Sequence, residues 1–479
     1  MRGFFTWLGN FYESTVFVYG TVLLLIYALL TLFSFFAIRN HLRTESYTNY
    51  NNLLTSKLAP GITVLAPAYN EGLSIIMNVR SLLTLNYPLF EIVLVNDGST
   101  DDSMAQMISV FELVKVDFAY DPKIKTQPIT GIYKSANPAY SKLTVIDKVN
   151  GKSKADAVNA GINVASFDYF VCTDVDCILD KDALLKLLKP VLEEPTKRVI
   201  ATGATLRIAN SSEIDNGVVI RMRPPRNLLA RFQEMEYVRA FLLGKMGWSF
   251  INCVPNVSGG LGLFDKEIAI KAGGYDHQSF GEDMELMVRM VRYSYDNGID
   301  YAIRYIPETL CWTEAPVTVN VFMRQRTRWA RGLAQLMYSH FKMLFNPRYG
   351  RAGIITFPYN FFFELLAPIV EVTGIIYYIY LIVSGNVNVP YALLLLAFVY
   401  SYSIMITTAA ILWDQLAFKH YRTWREVLLL CSTTLFEFVL YHPINVVFSL
   451  RGYYYFLTGK KHSWGNMQRQ GFGQPKPTS

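Results

Sequence analysis

Long uncharged apolar runs at both ends of the chain constrain its fold more than any other feature. Residues 15–38 carry no charge and exceed the roughly 20 residues that a helix needs to cross a bilayer. The run is too long for a signal-peptide core, and no small-residue cleavage pattern follows it. Three further apolar stretches occur late, at 354–383, 391–413 and 427–450. We therefore predict a multi-pass membrane protein.

Basic residues beside these runs predict the orientation. Arg39 and Arg43 directly follow the first run, which places its C-terminal end in the cytoplasm. The basic loop 414–426 is expected on the same side. Three complete late spans would leave the basic tail outside, whereas a re-entrant element around His442 and Pro443 would return it to the cytoplasm. The sequence leaves both arrangements open.

Composition supports a membrane protein that also has a soluble domain. The chain is 52% hydrophobic, yet 17% of its residues are charged. The net charge of +7 falls largely beside apolar segments, so membrane lipids are expected partners and nucleic acid is not. The 5 cysteines are scattered without CxxC spacing, which indicates neither a zinc site nor a disulfide framework.

The middle of the chain, about 58–316, predicts an α/β domain. Apolar runs rich in β-formers end abruptly in polar residues, and helical patterns separate several of them. These runs are ITVLAPAYNE, EIVLVNDGST, LTVID, FDYFVCTDVD and RVIATGATLRI. The alternation favours a mainly parallel, doubly wound sheet, in which ligands bind beyond the carboxyl ends of the strands. The strand-end polar residues are therefore candidates for a binding site.

Asp174 and Asp176 are the strongest such candidates. They lie two residues apart where the apolar run FDYFVC opens into a loop. A hard divalent ion takes carboxylate ligands while it grips substrate phosphates. A solvated turn would explain an isolated DxD, but the preceding strand anchors this pair at a sheet edge and favours a metal site.

Other acidic and basic residues have two readings each. Asp97 ends a strand and favours a nucleotide contact, whereas Ser99 and Asp101 after it suit a helix cap. Glu71 suits either a ligand contact or a helix N-terminus. Lys154 and Asp156 suit either a ligand contact or an ordinary helix start, and the residues alone do not decide between them.

Two later segments carry further candidates. Glu282 and Asp283 open the amphipathic pattern DMELMVRMVRYSY, where a carboxylate is either a common first-turn residue or a general base. The segment 319–345 has an apolar stripe flanked by arginines, which is typical of a helix in the membrane interface. Gln325, Arg328 and Trp329 are neighbours on its surface. An interfacial anchor explains the arginine and the tryptophan but not the glutamine.

Taken together, these motifs resemble the membrane-type family 2 glycosyltransferases, which include cellulose, hyaluronan and poly-N-acetylglucosamine synthases. The motifs are PAYNE (67–71), NDGSTDDS (96–103), KADAVNAG (154–161), TDVDC (173–177), GEDMEL (281–286) and QRTRW (325–329). The sheet resembles the A-type nucleotide-diphosphosugar-binding fold. Two departures are Gly281, where many synthases have threonine, and an extra residue that leaves either Lys152 or Lys154 in the family's lysine position.

The resemblance implies a role for each motif residue. Ala68, Tyr69, Glu71, Asp97 and Asp156 would line a uridine pocket. Asp174 and Lys154 would contact the donor, and Asp176, together with Asp174, would coordinate Mg²⁺ or Mn²⁺. Asp283 would be the general base, with Glu282 beside it. Gln325, Arg328 and Trp329 would hold the diphosphate and the acceptor sugar.

The implied activity is inverting transfer from a UDP-sugar, with UDP-GlcNAc or UDP-Glc favoured, to a growing polysaccharide that passes through the membrane. Single glycosylation of a lipid acceptor is the alternative enzyme, and an inactive membrane scaffold is the alternative of another class. Expected partners also include a glycan or lipid-linked acceptor and an accessory membrane or export subunit. The expected location is the cytoplasmic (inner or plasma) membrane, with the catalytic domain in the cytosol.

The expected organisation has five parts. They are an N-terminal transmembrane helix (1–38), a cytosolic glycosyltransferase domain (39–316), an interfacial helix with the QxxRW motif (317–350), C-terminal transmembrane helices (351–457) and a polar tail (458–479).

Overall fold

The computed structural model describes residues 2–45, 50–56, 58–215 and 217–460. The strands are β1 (Ile62–Ala68), β2 (Phe90–Asn96), β3 (Leu113–Val116), β4 (Ile129–Ser135), β5 (Leu143–Lys148), β6 (Tyr169–Thr173), β7 (Ile178–Leu179), β8 (Arg198–Ile208), β9 (Glu213–Asp215), β10 (Val218–Arg221), β11 (Leu261–Asp265) and β12 (Tyr301–Thr313).

The α-helices are α1 (Arg2–Glu45), α2 (Tyr50–Thr55), α3 (Ile75–Leu83), α4 (Ser103–Val110), α5 (Lys154–Val164), α6 (Ala183–Glu193), α7 (Leu228–Val238), α8 (Met246–Phe250), α9 (Lys266–Lys271), α10 (Glu282–Asp296), α11 (Val319–Ser339), α12 (Phe357–Tyr359), α13 (Ala367–Val383), α14 (Val389–Phe418), α15 (Trp424–Phe436) and α16 (His442–Leu457). The π-helical turns are Arg239–Lys245, Ala352–Thr356, Asn360–Leu365 and Glu437–Tyr441. The polar tail lies outside the described residues from 461 onward.

One large sheet organises the soluble part, in the order β3-β4-β5-β2-β1-β6-β11-β8-β12-β7. The neighbours β5, β2, β1 and β6 run parallel, and Ala68, Asn96 and Asp147 stand opposite one another at their carboxyl ends. Antiparallel strands, such as β11 beside β6 and β4 beside β5, extend the sheet on both sides. The predicted α/β fold class is confirmed, with a parallel centre and mixed flanks.

Strand composition explains why the centre is parallel. β1, β2 and β6 are almost wholly buried, because helices cover both faces of the sheet. α5 approaches this centre closely at Gly161, where a Cβ atom would stand 3.1 Å from Leu65 and 3.3 Å from Val95. This packing fixes α5 against the carboxyl ends of β1 and β2.

Four helical segments are long and apolar enough to cross a membrane. They are Tyr12–Glu45, Ala352–Val383, Val389–Phe418 and Trp424–Leu457. Their positions match the four predicted apolar runs, and the chain is a membrane protein.

Buried ion pairs show which helix ends adjoin the α/β domain. Arg207 of β8 is fully buried and contacts Glu234 at 3.0 Å and Asp414 of α14 at 3.2 Å. At the end of α1, Glu45 pairs with Lys189 at 2.5 Å. The C-terminal ends of α1 and α14 therefore lie on the same side as the α/β domain.

The last apolar segment is broken rather than straight. A π-helical turn at Glu437–Tyr441 and Pro443 in the first turn of α16 interrupt it. α15 begins beside the soluble part, where Glu426 pairs with Arg221 at 3.0 Å. α16 then runs along α11, and the backbone carbonyl of Lys460 accepts a hydrogen bond from Arg331 at 2.8 Å. Both ends reach the domain side, as the re-entrant alternative requires.

This arrangement predicts the outcome of cysteine labelling in intact cells. Cysteines introduced at Arg43 and Arg422, both on the domain side, should react only after the membrane is made permeable. A cysteine at Ser384, in the short turn between α13 and α14, should react from outside with an impermeant maleimide. Labelling of Arg422→Cys in intact cells would contradict the proposed cytosolic side of the domain.

Candidate active site

A buried ionic triad lies at the carboxyl edge of the parallel strands. Lys148, at the end of β5, has a fully buried side chain whose Nζ is 2.6 Å from both Asp97 Oδ1 and Asp156 Oδ2. The backbone N–H of Gly151 donates to Asp97 at 3.0 Å, and that of Gln127 donates to Asp156 at 3.1 Å. Asp97 and Asp156 therefore come together as predicted, around a lysine that sequence reasoning missed.

The loops after β1 and β2 are tied to each other. Asn70 has a positive φ of 56° and accepts a hydrogen bond from the N–H of Thr100 at 2.8 Å, while its own N–H donates to Ser99 Oγ at 3.0 Å. Asp101 accepts from the N–H groups of Gly72 and Ser103. Asp101 thus contacts the first turn of α4, as the capping alternative expects, whereas Ser99 ties the two loops together and does not cap the helix.

The PAYNE residues border this loop pair. Ala68 is buried at the end of β1, whereas the Tyr69 side chain is 44% exposed. Glu71 accepts a hydrogen bond from Ser74 Oγ at 3.4 Å, at the start of α3. An exposed aromatic ring beside a buried ionic triad provides a surface on which a planar base can stack.

Asp174 lies against Lys154. Asp174 Oδ1 is 2.5 Å from Lys154 Nζ, which also donates to the carbonyl of Gly259 at 3.0 Å. Burial alone would lower the pKa of Lys154, but the charges of Asp174 and Glu282 outweigh it and raise the pKa above its usual range. Lys154, rather than the exposed Lys152, is therefore the lysine at the site.

The DxD loop offers a set of ligand atoms for a metal ion. Carboxylate oxygens of Asp174 and Asp176 and the thiol of Cys177 lie within 4.8 Å of one another. The hydrogen-bonded Cys311 thiol and burial both raise the pKa of Cys177, which keeps it a neutral thiol and a poor ligand. The two carboxylates are the hard oxygen donors that Mg²⁺ and Mn²⁺ prefer. The residues fit such an ion.

A glycine loop separates this pair of aspartates from the predicted base. Gly259 and Gly260 precede β11, which pairs with β6 so that Leu261 stands opposite Thr173. A Cβ atom at Gly260 would stand 3.9 Å from Asp174 Oδ2, and one at Gly259 would stand 3.3 Å from Asp283 Oδ2. A side chain at Gly259 would crowd Asp283, so this glycine keeps space open beside that carboxylate. A side chain at Gly260 would first meet Leu206 Cδ2 at 3.0 Å and Cys177 Sγ at 3.4 Å, so that glycine permits close packing behind the DxD loop.

Glu282 and Asp283 begin α10 on the far side of this loop. Glu282 is buried, which raises its pKa, although the positive charges of Arg328 and Lys154 act in the opposite direction. Asp283 approaches the Gly259 backbone. Asp283 therefore lies beside the glycine loop that precedes β11.

Close contacts between glycines and backbone atoms hold α11 beside α10. A Cβ atom at Gly332 would stand 2.8 Å from the backbone nitrogen of Gly281. On the other side of α11, a Cβ atom at Gly452 of α16 would stand 2.6 Å from the carbonyl oxygen of Thr327. The GED motif and α11 are thus in direct contact, and the side chains around Arg328 are brought to Glu282.

The QxxRW residues have distinct surroundings. Trp329 is 38% exposed, and the guanidinium of Arg326 stacks 4.5 Å from its ring centroid. Arg326 is held by a bidentate pair with Glu236, with both distances 2.6 Å. Gln325 Oε1 is buried and has no hydrogen-bond partner among the residues that the structure describes. An unpaired buried acceptor favours a ligand hydroxyl or amide as its partner.

Lys245 is a further site residue that the sequence did not reveal. It ends a π-helical turn, donates to Ser258 Oγ at 3.0 Å, and lies 4.7 Å from the ring centroid of Phe241. Burial lowers its pKa to about 8, against a partial opposing effect from the charge of Asp283. A partly buried cation therefore interacts electrostatically with the predicted base.

Family models match this chain over most of the parts described above. The model described as "Glycosyl transferase family 2" matches residues 63–232, and that described as "Glycosyl transferase family group 2" matches residues 169–418. The second match covers more than half of the chain, which belongs to that family. The protein is a family 2 glycosyltransferase, as predicted.

Curated relatives include poly-beta-1,6-N-acetyl-D-glucosamine synthases. The chain is 27% identical to that of Staphylococcus epidermidis over 343 residues, which are 71% of this chain and 70% of the relative. It is 27% identical to that of Staphylococcus aureus strain COL over 281 residues, which are 59% of this chain and 56% of the relative.

A solved structure that resembles this chain is a mannosyltransferase from Pyrobaculum calidifontis in complex with GDP-Man and Mn²⁺. The TM-score is 0.48 at 18% sequence identity, and the match covers 92% of this chain and 100% of that one.

Proposed function

We propose that this glycosyltransferase moves a sugar from a UDP-sugar to a growing polysaccharide by inversion, at the cytoplasmic membrane and on its cytosolic side. The observation that carries the proposal is the convergence of Asp174, Asp176, Lys154 and Asp283 around the open loop at Gly259 and Gly260. Acidic ligands, a cation and a facing carboxylate are the groups that such a transfer needs.

The ionic triad and the loops beside it form the nucleotide end of the proposed site. Asp97 and Asp156, fixed by Lys148, supply carboxylate acceptors for the N–H and hydroxyl groups of uridine. Tyr69 supplies a ring for the base, with Ala68 and Glu71 beside it. Burial of the triad makes its geometry rigid, which favours one base over others.

The diphosphate end lies at the DxD loop. Asp176 and Asp174 would hold Mg²⁺ or Mn²⁺, which would offset negative charge on the diphosphate. Lys154 lies beside Asp174, and Arg328 lies near Glu282. Both add positive charge where negative charge develops on the leaving UDP. These cations are in place before the substrate binds, so little reorganisation is required.

Asp283 is proposed as the base. It would remove the proton from the acceptor hydroxyl as that oxygen attacks the anomeric carbon from the face opposite the leaving UDP. Gln325 and Trp329 would hold the acceptor sugar through its hydroxyl or amide groups and through its apolar face. Helices next to α11 would then receive the product, which links transfer to passage through the membrane.

The nature of the acceptor separates this proposal from its alternative. The named staphylococcal relatives make a polymer of N-acetylglucosamine, which favours a polysaccharide product and UDP-GlcNAc over UDP-Glc. Membranes containing the protein should be supplied with radiolabelled UDP-GlcNAc or UDP-Glc and either metal. A ladder of products supports polysaccharide synthesis, whereas a single sugar on an extractable lipid supports the alternative.

The pKa of Lys245 predicts the alkaline side of the pH profile. As the pH rises through about 8, the ammonium loses its proton and no longer attracts Asp283. Turnover should therefore fall several-fold above that pH. Because burial lowers this pKa from 10.5, the native protein binds fewer protons than the unfolded chain in this window, and its stability rises with pH there. Unfolding therefore does not account for the loss.

Lys245→Arg is the matched control for this profile. A guanidinium keeps its charge over the whole range, so the alkaline fall in turnover should move to higher pH. Lys245→Met should have lower turnover throughout and no such fall. An unchanged profile in both variants would show that Lys245 plays no part in the reaction.

A further inference from the structure

A cationic cavity lies between α11 and the end of α16. Its volume is about 260 Å³, and five basic residues line it. They are Arg324, Arg328, Arg331, Arg451 and Lys460. Phe280 and Tyr455 contribute aromatic walls.

The positive charge of this cavity is not balanced by its own lining. No carboxylate lines it among the described residues. Residues 461–479, which follow Lys460 in the sequence, contain no aspartate or glutamate. Glu282, outside the lining, offsets part of the charge of Arg328, and the other four basic groups repel one another, so the cavity favours an anion.

The contacts of the basic side chains also favour a bound anion. Arg331 stacks 3.9 Å from the Phe280 ring centroid, and its Nε has no hydrogen-bond partner in the described part of the chain. Arg451 Nε donates to the hydroxyl of Tyr455 at 2.9 Å, and Lys460 Nζ lies 4.6 Å from the ring of Tyr455. Aromatic rings and a hydroxyl orient these cations but do not neutralise them.

The position of the cavity identifies the anion. The last apolar segment ends at Leu457, and Arg451, Tyr455 and Lys460 lie around that end. α11 is amphipathic and lies alongside α16. Basic and aromatic side chains at the end of an apolar helix lie at the depth of lipid headgroups, where anionic phosphates are concentrated.

We propose that this cavity binds the phosphate of an anionic phospholipid headgroup. Arginine guanidinium groups bind phosphate oxygens in a bidentate manner, and Phe280 and Tyr455 accommodate the less polar part of the headgroup. The site goes beyond the proposed transfer reaction, and its binding can be measured without any sugar donor. Through Arg328, the bound lipid adjoins the active site.

Lipid retention by the purified full chain tests this proposal. The protein is extracted in mild detergent, supplied with phosphatidylglycerol or phosphatidylcholine, and analysed by native mass spectrometry. The wild type should retain phosphatidylglycerol in preference to phosphatidylcholine. Each basic residue near an anionic membrane surface strengthens lipid binding roughly fivefold. The double variant Arg331→Gln/Arg451→Gln loses two such charges and should therefore retain the lipid about 25-fold more weakly.

Two matched variants control for misfolding and for general charge. Arg331→Lys/Arg451→Lys keeps both charges and should retain the lipid. Arg422→Gln removes one exposed charge at the same membrane face but outside the cavity, and should also retain it. Equal retention by the glutamine double variant and the wild type would overturn the proposal. Displacement of the lipid by inorganic pyrophosphate or UDP, with no preference for phosphatidylglycerol, would assign the cavity to a soluble phosphate instead.

Discussion

Replacing Asp283 with asparagine is expected to lower turnover by about two to four orders of magnitude, the usual contribution of a general base. Asparagine keeps the size of the side chain but cannot accept the proton of the acceptor hydroxyl. Affinity for the UDP-sugar should change little, because the nucleotide end of the proposed site lies at Asp97 and Asp156. Turnover and donor affinity should be measured under one condition.

Glu282→Gln is the matched control for this prediction. Glu282 is adjacent in sequence and buried, and it interacts electrostatically with Arg328 and Lys154. Its loss should have a milder effect if it only tunes the surroundings of Asp283. Normal turnover in Asp283→Asn, or an inactive Glu282→Gln, would show that the base is assigned to the wrong carboxylate.

Asp176→Asn is expected to nearly abolish activity and to weaken metal-dependent UDP binding. A carboxylate oxygen would be replaced by a neutral amide, which is a weaker ligand for Mg²⁺ or Mn²⁺. Calorimetric titration of UDP with and without each metal measures the effect directly. The difference between the two titrations should largely disappear in the variant.

Asp168→Asn provides the control at the other end of the same strand. Asp168 precedes β6 and is exposed, whereas Asp176 follows β6 and is buried. The charge change is the same, so metal-dependent binding should be unaffected. If Asp176→Asn keeps the metal dependence of the wild type, the metal role of Asp176 is wrong.

The strands that carry the site could be predicted because each is a buried apolar run with a sharp polar end. All five predicted runs form strands, and the parallel order of β5, β2, β1 and β6 brings Asp97, Asp156 and Asp174 to one edge. The antiparallel flanks were not predicted. β11, for example, is a short segment whose partners β6 and β8 are distant in sequence.

The missed residues depend on contacts that local sequence does not encode. Lys245 ends a π-helical turn, donates to Ser258 in the loop before β11, and interacts electrostatically with Asp283, a residue 38 positions later. Arg326 lies within QRTRW, but its pairing with Glu236 spans 90 positions of sequence. Lys148 could have been predicted from the sequence, because a lysine directly at the end of an apolar strand lies close to carboxylates at the ends of neighbouring strands.

The buried contact of Arg207 with Asp414 bears on attempts to excise the catalytic half as a soluble enzyme. A truncation after α11 would delete Asp414 and Tyr421, whose hydroxyl accepts a hydrogen bond from Arg207. Glu234 of α7 would remain beside Arg207, so the guanidinium would lose one of its two carboxylate partners. The cut would also expose Arg207 and the apolar side chains of Phe232, Met235 and Phe322, which pack in one cluster with Tyr421. Such a fragment is therefore expected to be less stable and less soluble than the same residues in the full chain.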